Sequence, residues 1–181
     1  MGAALGNVPA GTLWSMQNGY AMCTEAGLRA IDERLGCASE EELDRLRGLL
    51  RIGLHCDVEL TNVPESGRRV SQAFCSALPV QYSRLSVPRS LWRRFATLVL
   101  EAAYEATLCA ARLNQAPGVD RPVFLTRLGG GVFGNDDAWI HEGLRRALEL
   151  ARDWDLDVRV VSYSNPSEEM RGLIDGFAPR R

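Results

Sequence analysis

Three consecutive glycines in the second half of the chain constrain its fold more than any other feature. Gly129 to Gly131 follow an apolar run, Val123 to Leu128, and precede a segment through Trp154 with apolar residues at helical spacing. The run predicts a buried strand, and the segment predicts an amphipathic helix capped by Asn135 or Asp136. A glycine loop that joins a strand directly to a helix is typical of α/β folds.

The remaining patterns predict the same fold class. Helices are expected over 25–35, 39–51, 88–114 and 167–177, and strands over 52–60, 70–80 and 157–164, after an irregular lead-in of about 15 residues. From residue 70 the order is strand, helix, strand, glycine loop, helix and strand. Short connections in that order predict parallel β-α-β units, so we expect one α/β domain over residues 1–181 with a mostly parallel sheet.

Composition narrows the function classes. The chain has 181 residues, 46% of them hydrophobic, and a formal net charge of -2, which gives no reason to expect nucleic acid or a membrane as a partner. All 21 basic residues are arginine, which excludes a lysine Schiff base and the lysine of a Walker loop. The five cysteines are widely spaced, which is typical of reduced thiols in a cytoplasmic protein. His55 and His141 lack a ligand-spaced partner, so neither a metal nor another cofactor is expected.

The glycine block is the strongest candidate binding site. It consists of Gly129, Gly130, Gly131, Val132, Phe133, Gly134 and Asn135. Its backbone amides and the following helix N-terminus can bind a phosphate group without lysine, and Phe133 can pack against a sugar or a base. The alternative for the glycines and Phe133 is a tight turn between strand and helix, with the Phe133 ring packed in the core. Asp136 either contacts the ligand or only interacts favourably with the dipole of the following helix. Ser162 and Tyr163 end the last strand and are candidate rim contacts.

Several segments resemble one known family. LTRLGGGVFGNDDAWI, followed by an amphipathic helix and DVRVVSYS, resembles the second phosphate loop of macrodomains, the loop that holds ADP-ribose. VSQAFCSALPV resembles the macrodomain strand before the long helix, LWRRFATLVLEAAYEATLCAARLN resembles that helix, and MQNGYAM resembles an earlier strand edge. The likeness covers most of residues 14 to 164. It is nearest to a divergent branch, related to bacterial effector macrodomains that remove ADP-ribose from arginine on ubiquitin, in which GLH-x-D-x-E and CSA-x-x-V-x-Y segments recur.

The resemblance implies a three-layer α/β/α fold and a ligand, ADP-ribose, either free or attached to a protein. It also implies that carboxylates act on a water near the anomeric carbon, and Asp57 and Glu59, two residues apart on one side of a predicted strand, are the candidates. The alternative for both is a solvated strand face.

The first strands of the family, with their asparagine-rich loop, have no counterpart here, so we expect either a shortened relative or a chain that is a fragment or begins at a misplaced start. Three interpretations therefore stay open: hydrolytic removal of ADP-ribose from a modified arginine, a binding module without turnover, and an inactive remnant. The sequence predicts no oligomeric state.

Overall fold

The structure is a computed structural model that describes residues 1–9, 11–60, 67–115, 122–163 and 165–177. Helices and strands are mixed along these ranges, as the α/β prediction requires. In chain order the elements are α1 Gly2–Leu5, β1 Trp14–Gln17, β2 Tyr20–Cys23, α2 Glu25–Cys37, α3 Glu40–Arg47, β3 Gly53–Glu59, β4 Arg69–Phe74, α4 Ser90–Leu113, β5 Val123–Thr126, α5 Asp137–Leu150, β6 Val158–Val161 and α6 Glu168–Asp175.

The core is built around α4. This helix is buried on almost every side between Trp92 and Tyr104, because its apolar residues cover more than one face. It packs against α2, α3 and α5. Gly143 of α5 lies against α4, and a Cβ atom there would lie 3.2 Å from the Glu101 amide nitrogen and the Leu100 Cβ. A side chain at Gly143 would therefore push the two helices apart.

A buried ion pair joins two of these helices. The Arg47 guanidinium donates from Nε to Glu101 Oε2 at 2.7 Å and from Nη1 to Glu40 and Asp44. Burial raises the pKa of the Glu101 carboxyl above its usual range, against the opposing effect of Arg47. Breaking such a pair would leave a buried charge without a partner, so α3 is held to α4 through Arg47.

The expected mostly parallel sheet is wrong for the described residues. Their strands form three separate two-stranded sheets: β1–β2 and β3–β4 are antiparallel, and β5–β6 is parallel. Only β5, α5 and β6 form the predicted β-α-β unit. The Asn18-Gly19 pair, both residues at positive φ, closes the β1–β2 hairpin, which is the favoured chemistry for a two-residue turn.

The strands predicted over 52–60 and 70–80 pair with each other rather than joining a central sheet. Apart from Val58 and Val70, the residues of β3 and β4 are exposed, so neither strand buries a face in the core. The second strand ends at Phe74, and Ala77 and Leu78 then enter the core outside any strand or helix. Pro79 can donate no ladder hydrogen bond, which favours ending the strand before it. The sequence also predicts a turn-rich stretch over 61–69 between the two strands, and its residues 61–66 lie outside the described residues.

Other boundaries differ less. The first 15 residues are not irregular, since they contain α1 and the start of β1. Helix α2 continues through Gly36 to Cys37, while α3 ends at Arg47 and α5 at Leu150, earlier than predicted.

Candidate functional site: the glycine loop between β5 and α5

A tyrosine from the core fixes the chain where it leaves β5. The Tyr104 hydroxyl donates to the Thr126 carbonyl at 2.8 Å and accepts from the Leu128 amide at 2.9 Å. Burial raises the pKa of Tyr104, so this hydroxyl keeps its proton and remains a donor. The start of the glycine loop is therefore attached to α4.

Two glycines pack the loop against the segment before α4. Gly129 has φ +77° and Gly134 has φ +67°. A Cβ at Gly129 would lie 2.3 Å from the Ala77 Cβ, and one at Gly134 would lie 2.8 Å from the Gln81 Cβ. At both positions the conformation and the close approach each require glycine.

The apex of the loop is open instead. Gly131 has φ +67°, but no atom lies within 4 Å of its Cβ position, and Val132 is 70% exposed. Gly130 to Gly134 form a single 3-10 turn, so the amides of Gly131 and Val132 have no acceptor among the described residues. The Asp137 and Ala138 amides at the start of α5 also have no acceptor among the described residues, whereas the Trp139 amide donates to the Asp136 carbonyl at 3.0 Å. This loop can therefore donate several hydrogen bonds to one anion.

Asn135 connects the two ends of the loop by hydrogen bonds. Its Nδ2 donates to the Leu78 carbonyl at 2.8 Å and to the Gly129 carbonyl at 3.1 Å, and its amide donates to Gly129 at 3.0 Å. The side chain is 6% exposed, and its Oδ1 has no partner among the described residues. Asp136 is the N-cap residue of α5, as one of the two predicted alternatives has it, but its side chain makes no capping hydrogen bond.

Three aromatic rings adjoin the loop. Phe133 makes edge-to-face contacts with Tyr20 at 5.7 Å and Tyr82 at 5.5 Å between ring centroids, and the two tyrosines contact each other at 5.5 Å. Tyr82 is 43% exposed. Sequence reasoning found Phe133 and missed both tyrosines, although the Asn18-Gly19 turn was a signal that Tyr20 would begin a strand.

Two arginines that sequence reasoning also missed flank the loop. Arg89 donates to the Gly134 carbonyl at 2.5 Å and to Asp136 at 3.3 Å, and its guanidinium lies 5.7 Å from the Trp139 ring centroid. Arg127 forms an ion pair with Asp137 at the first position of α5. Both carboxylates at the helix start are thus paired with an arginine.

Ser162 and Tyr163 follow the end of β6. Because Thr126 pairs with Val161 in the parallel ladder, β5 and β6 end at the same edge of the sheet. The structure therefore brings Ser162 and Tyr163 to the edge from which the glycine loop leaves. The Tyr163 ring is fully exposed.

Asp57 and Glu59 lie elsewhere, on the β3–β4 hairpin. Asp57 occupies a β-bulge with φ +54°, its carboxylate accepts from Arg69 Nε at 3.0 Å, and its amide donates to the Ser71 hydroxyl. Both carboxylates are exposed. Among the described residues, no hydrogen bond or ion pair connects either of them to the glycine loop. Their catalytic role stays a prediction.

A groove of about 690 Å³ also runs along α4 between α3 and α5. Its wall is charged, but Arg47, Arg93, Arg94 and Arg146 are each paired with a carboxylate. We interpret it as an ion-pair network between helices. In the part of the chain that the structure describes, no three His, Cys, Asp or Glu side chains converge as metal ligands would, and no helix is long and apolar enough to cross a membrane.

Comparisons with models of known families, with curated proteins and with solved structures found no match to this chain. The geometry of the glycine loop and the resemblance of its sequence are therefore the grounds for proposing a function.

Proposed function

We propose that this chain binds ADP-ribose, free or attached to a protein, on the loop from Gly129 to Asn135. The observation that carries the proposal is the open apex of a loop whose two ends are fixed. The Gly131 and Val132 amides lack an acceptor in the described chain, while Asn135 and Tyr104 hold the rest of the loop in place. Preorganised amides of this kind favour a diphosphate, because ligand binding then costs little ordering of the protein.

The aromatic cluster supports a ligand larger than phosphate. Tyr20, Tyr82 and Phe133 form a partly exposed apolar surface beside the loop, against which a ribose or a base can pack. Ser162 and Tyr163, at the same sheet edge, are further candidate contacts for the ligand. AMP lacks the diphosphate and the second ribose, so it would bind more weakly.

Binding without turnover is the form that the hairpin geometry favours. A general base must reach the reacting water, and Asp57 is paired with Arg69 on an exposed hairpin with no described contact to the loop. Hydrolysis of arginine-linked ADP-ribose, with Asp57 and Glu59 as its carboxylates, remains the second candidate on the strength of the family resemblance.

The test is titration calorimetry with ADP-ribose, with AMP as the control ligand, on two matched variants at the apex. Gly131→Asn and Gly131→Asp have nearly the same shape, and both residue types tolerate positive φ better than other side chains. Because Gly131 is unobstructed, we expect Gly131→Asn to bind nearly as well as the wild type. Gly131→Asp adds a negative charge beside the diphosphate and should weaken binding by at least about tenfold.

Two outcomes would contradict the proposal. A folded wild-type protein that gives no heat with ADP-ribose has no such site. Equal affinity of Gly131→Asp and Gly131→Asn would mean that the phosphates do not meet the apex of the loop.

A further inference from the structure

The two ion pairs at the start of α5 are not equivalent. Arg89 is held by three partners: the Gly134 carbonyl, the Asp136 carboxylate and the face of Trp139. Among the described residues, the Arg127 side chain has one hydrogen-bonding partner, the Asp137 carboxylate, and it is 39% exposed. Arg89 therefore ties the loop to the start of α4, whereas Arg127 is free to exchange its carboxylate for another anion.

The position of Arg127 fits such an exchange. One of its terminal nitrogens lies 3.7 Å from the Cβ position of Gly130, so the guanidinium reaches the body of the loop. The Gly130 amide donates to the Arg127 carbonyl at 3.2 Å, which fixes the backbone of Arg127 to the same turn. A guanidinium can bind two oxygens of a phosphate at once, as it can bind those of a carboxylate.

A buried side chain stabilises the base of the loop. Asn135 donates from Nδ2 to the Leu78 and Gly129 carbonyls, while its Oδ1 accepts no hydrogen bond from the described residues. A buried acceptor without a donor is costly, so these two donated hydrogen bonds are what keeps the side chain in this position. The chemistry expected of the ligand follows from Arg127 and is an anionic group.

We propose that Arg127 is the anion-binding side chain of the glycine loop and that Asp137 occupies it until a diphosphate displaces the carboxylate. This inference rests on the proposed function, because it assigns a residue and a competitor to the same site. Asp137 then acts as an internal competitor that sets the affinity of the loop. The competition also excludes ligands that carry too little negative charge to displace a carboxylate.

A double-mutant cycle measured with ADP-ribose, and repeated with inorganic pyrophosphate, tests the competition. Arg127→Met should weaken binding of both ligands by at least about tenfold, the usual cost of losing a charge-assisted hydrogen bond. Asp137→Asn should tighten binding by about threefold to tenfold, since it frees Arg127. In the Arg127→Met background, Asp137→Asn should change affinity by less than about twofold.

Control variants come from an exposed pair on α3 whose charges match. Arg45→Met and Glu41→Gln change the net charge by the same amounts, at side chains that are 70% and 89% exposed. We expect neither control to alter affinity by more than about twofold, because both side chains are exposed to screening by salt and make no described contact with the glycine loop. Thermal melting of every variant establishes that the proteins compared are folded.

The results distinguish a failure of the Arg127–Asp137 competition from a failure of the proposed ADP-ribose binding. If the wild type binds ADP-ribose and Arg127→Met binds it equally well, the role of Arg127 is wrong and the proposed function stands. If Asp137→Asn tightens binding equally with and without Arg127, Asp137 acts by simple repulsion and the competition is wrong. If no variant binds either ligand, both proposals fail.

Discussion

The glycine loop and the β3–β4 hairpin both lie at the surface, but the protein fixes them to its core by different means. The loop is held by the Tyr104 hydroxyl, by the buried Asn135 amide and by close packing of Gly129 on Ala77. The hairpin projects exposed side chains, and its described polar links to α4 are Asn114 to Ser71 and Cys75 to Thr107. Only the loop has its donors fixed before a ligand arrives.

This difference separates two contributions to a binding site. A preorganised group loses little entropy on binding, so rigid donors are suited to charge recognition. A weakly attached hairpin is suited to contacts that adjust, and it can change sequence at little cost to the core. We therefore expect substitutions at the fixed ends of the loop to lower stability, and substitutions in the hairpin to affect stability very little.

Gly129→Ala should have the largest effect. The new methyl would lie 2.3 Å from the Ala77 Cβ at a residue with φ +77°, so the loop or the segment beneath it must move. We expect a loss of about 3 kcal/mol or more in the free energy of unfolding, measured by urea denaturation. Gly131→Ala is the control: it has the same sign of φ but no obstruction, and should cost only about 1 kcal/mol. Equal losses for the two variants would show that the close packing contributes nothing.

Asn135→Ala should have the next largest effect. It removes the side-chain donor to the Leu78 and Gly129 carbonyls. The Leu78 carbonyl is then left inside the protein without its side-chain partner. The expected loss is about 2 kcal/mol. Asn114→Ala removes one exposed hydrogen bond to the hairpin and should cost less than about 0.5 kcal/mol. A similar cost for both variants would remove the distinction between the loop and the hairpin.

The sequence was sufficient for features whose signal is local. Helical spacing located α4, and the order of apolar run, glycines and amphipathic segment located β5, the loop and α5. The partners of these elements were not predictable, because they depend on contacts between distant residues. Alternating apolar and polar residues fit a strand in any sheet, so nothing in the patterns of β3 and β4 indicated that they pair antiparallel with each other.

In the candidate site, too, the residues with a local sequence signal were predicted, and those positioned by contacts between distant residues were not. Glycines that require positive φ could be found from the sequence, since their neighbours define a strand and a helix. The hydrogen bond from Asn135 to Leu78 joins residues 57 positions apart, and the one from Arg89 to Gly134 joins residues 45 positions apart. No periodicity connects such pairs, so Arg89, Tyr20 and Tyr82 were missed.

Asp57→Asn should have the smallest effect on stability and is the most informative about catalysis. Asparagine tolerates the positive φ of this bulge, and the ion pair lost with Arg69 is exposed. We expect a change within about 0.5 kcal/mol in the free energy of unfolding. The matched control is Asp155→Asn, an exposed aspartate with the same φ of +54°.

The same pair of variants decides between the two forms of the proposed function. If the chain only binds ADP-ribose, Asp57→Asn and Asp155→Asn should retain wild-type affinity in calorimetry, and neither variant nor wild type should release ADP-ribose from an arginine-modified protein. Release by the wild type that Asp57→Asn abolishes and Asp155→Asn preserves would instead assign the chemistry to the hairpin. That result would require the hairpin to approach the loop when ligand is bound, and its weak attachment to α4 is the structural feature that would permit such a movement.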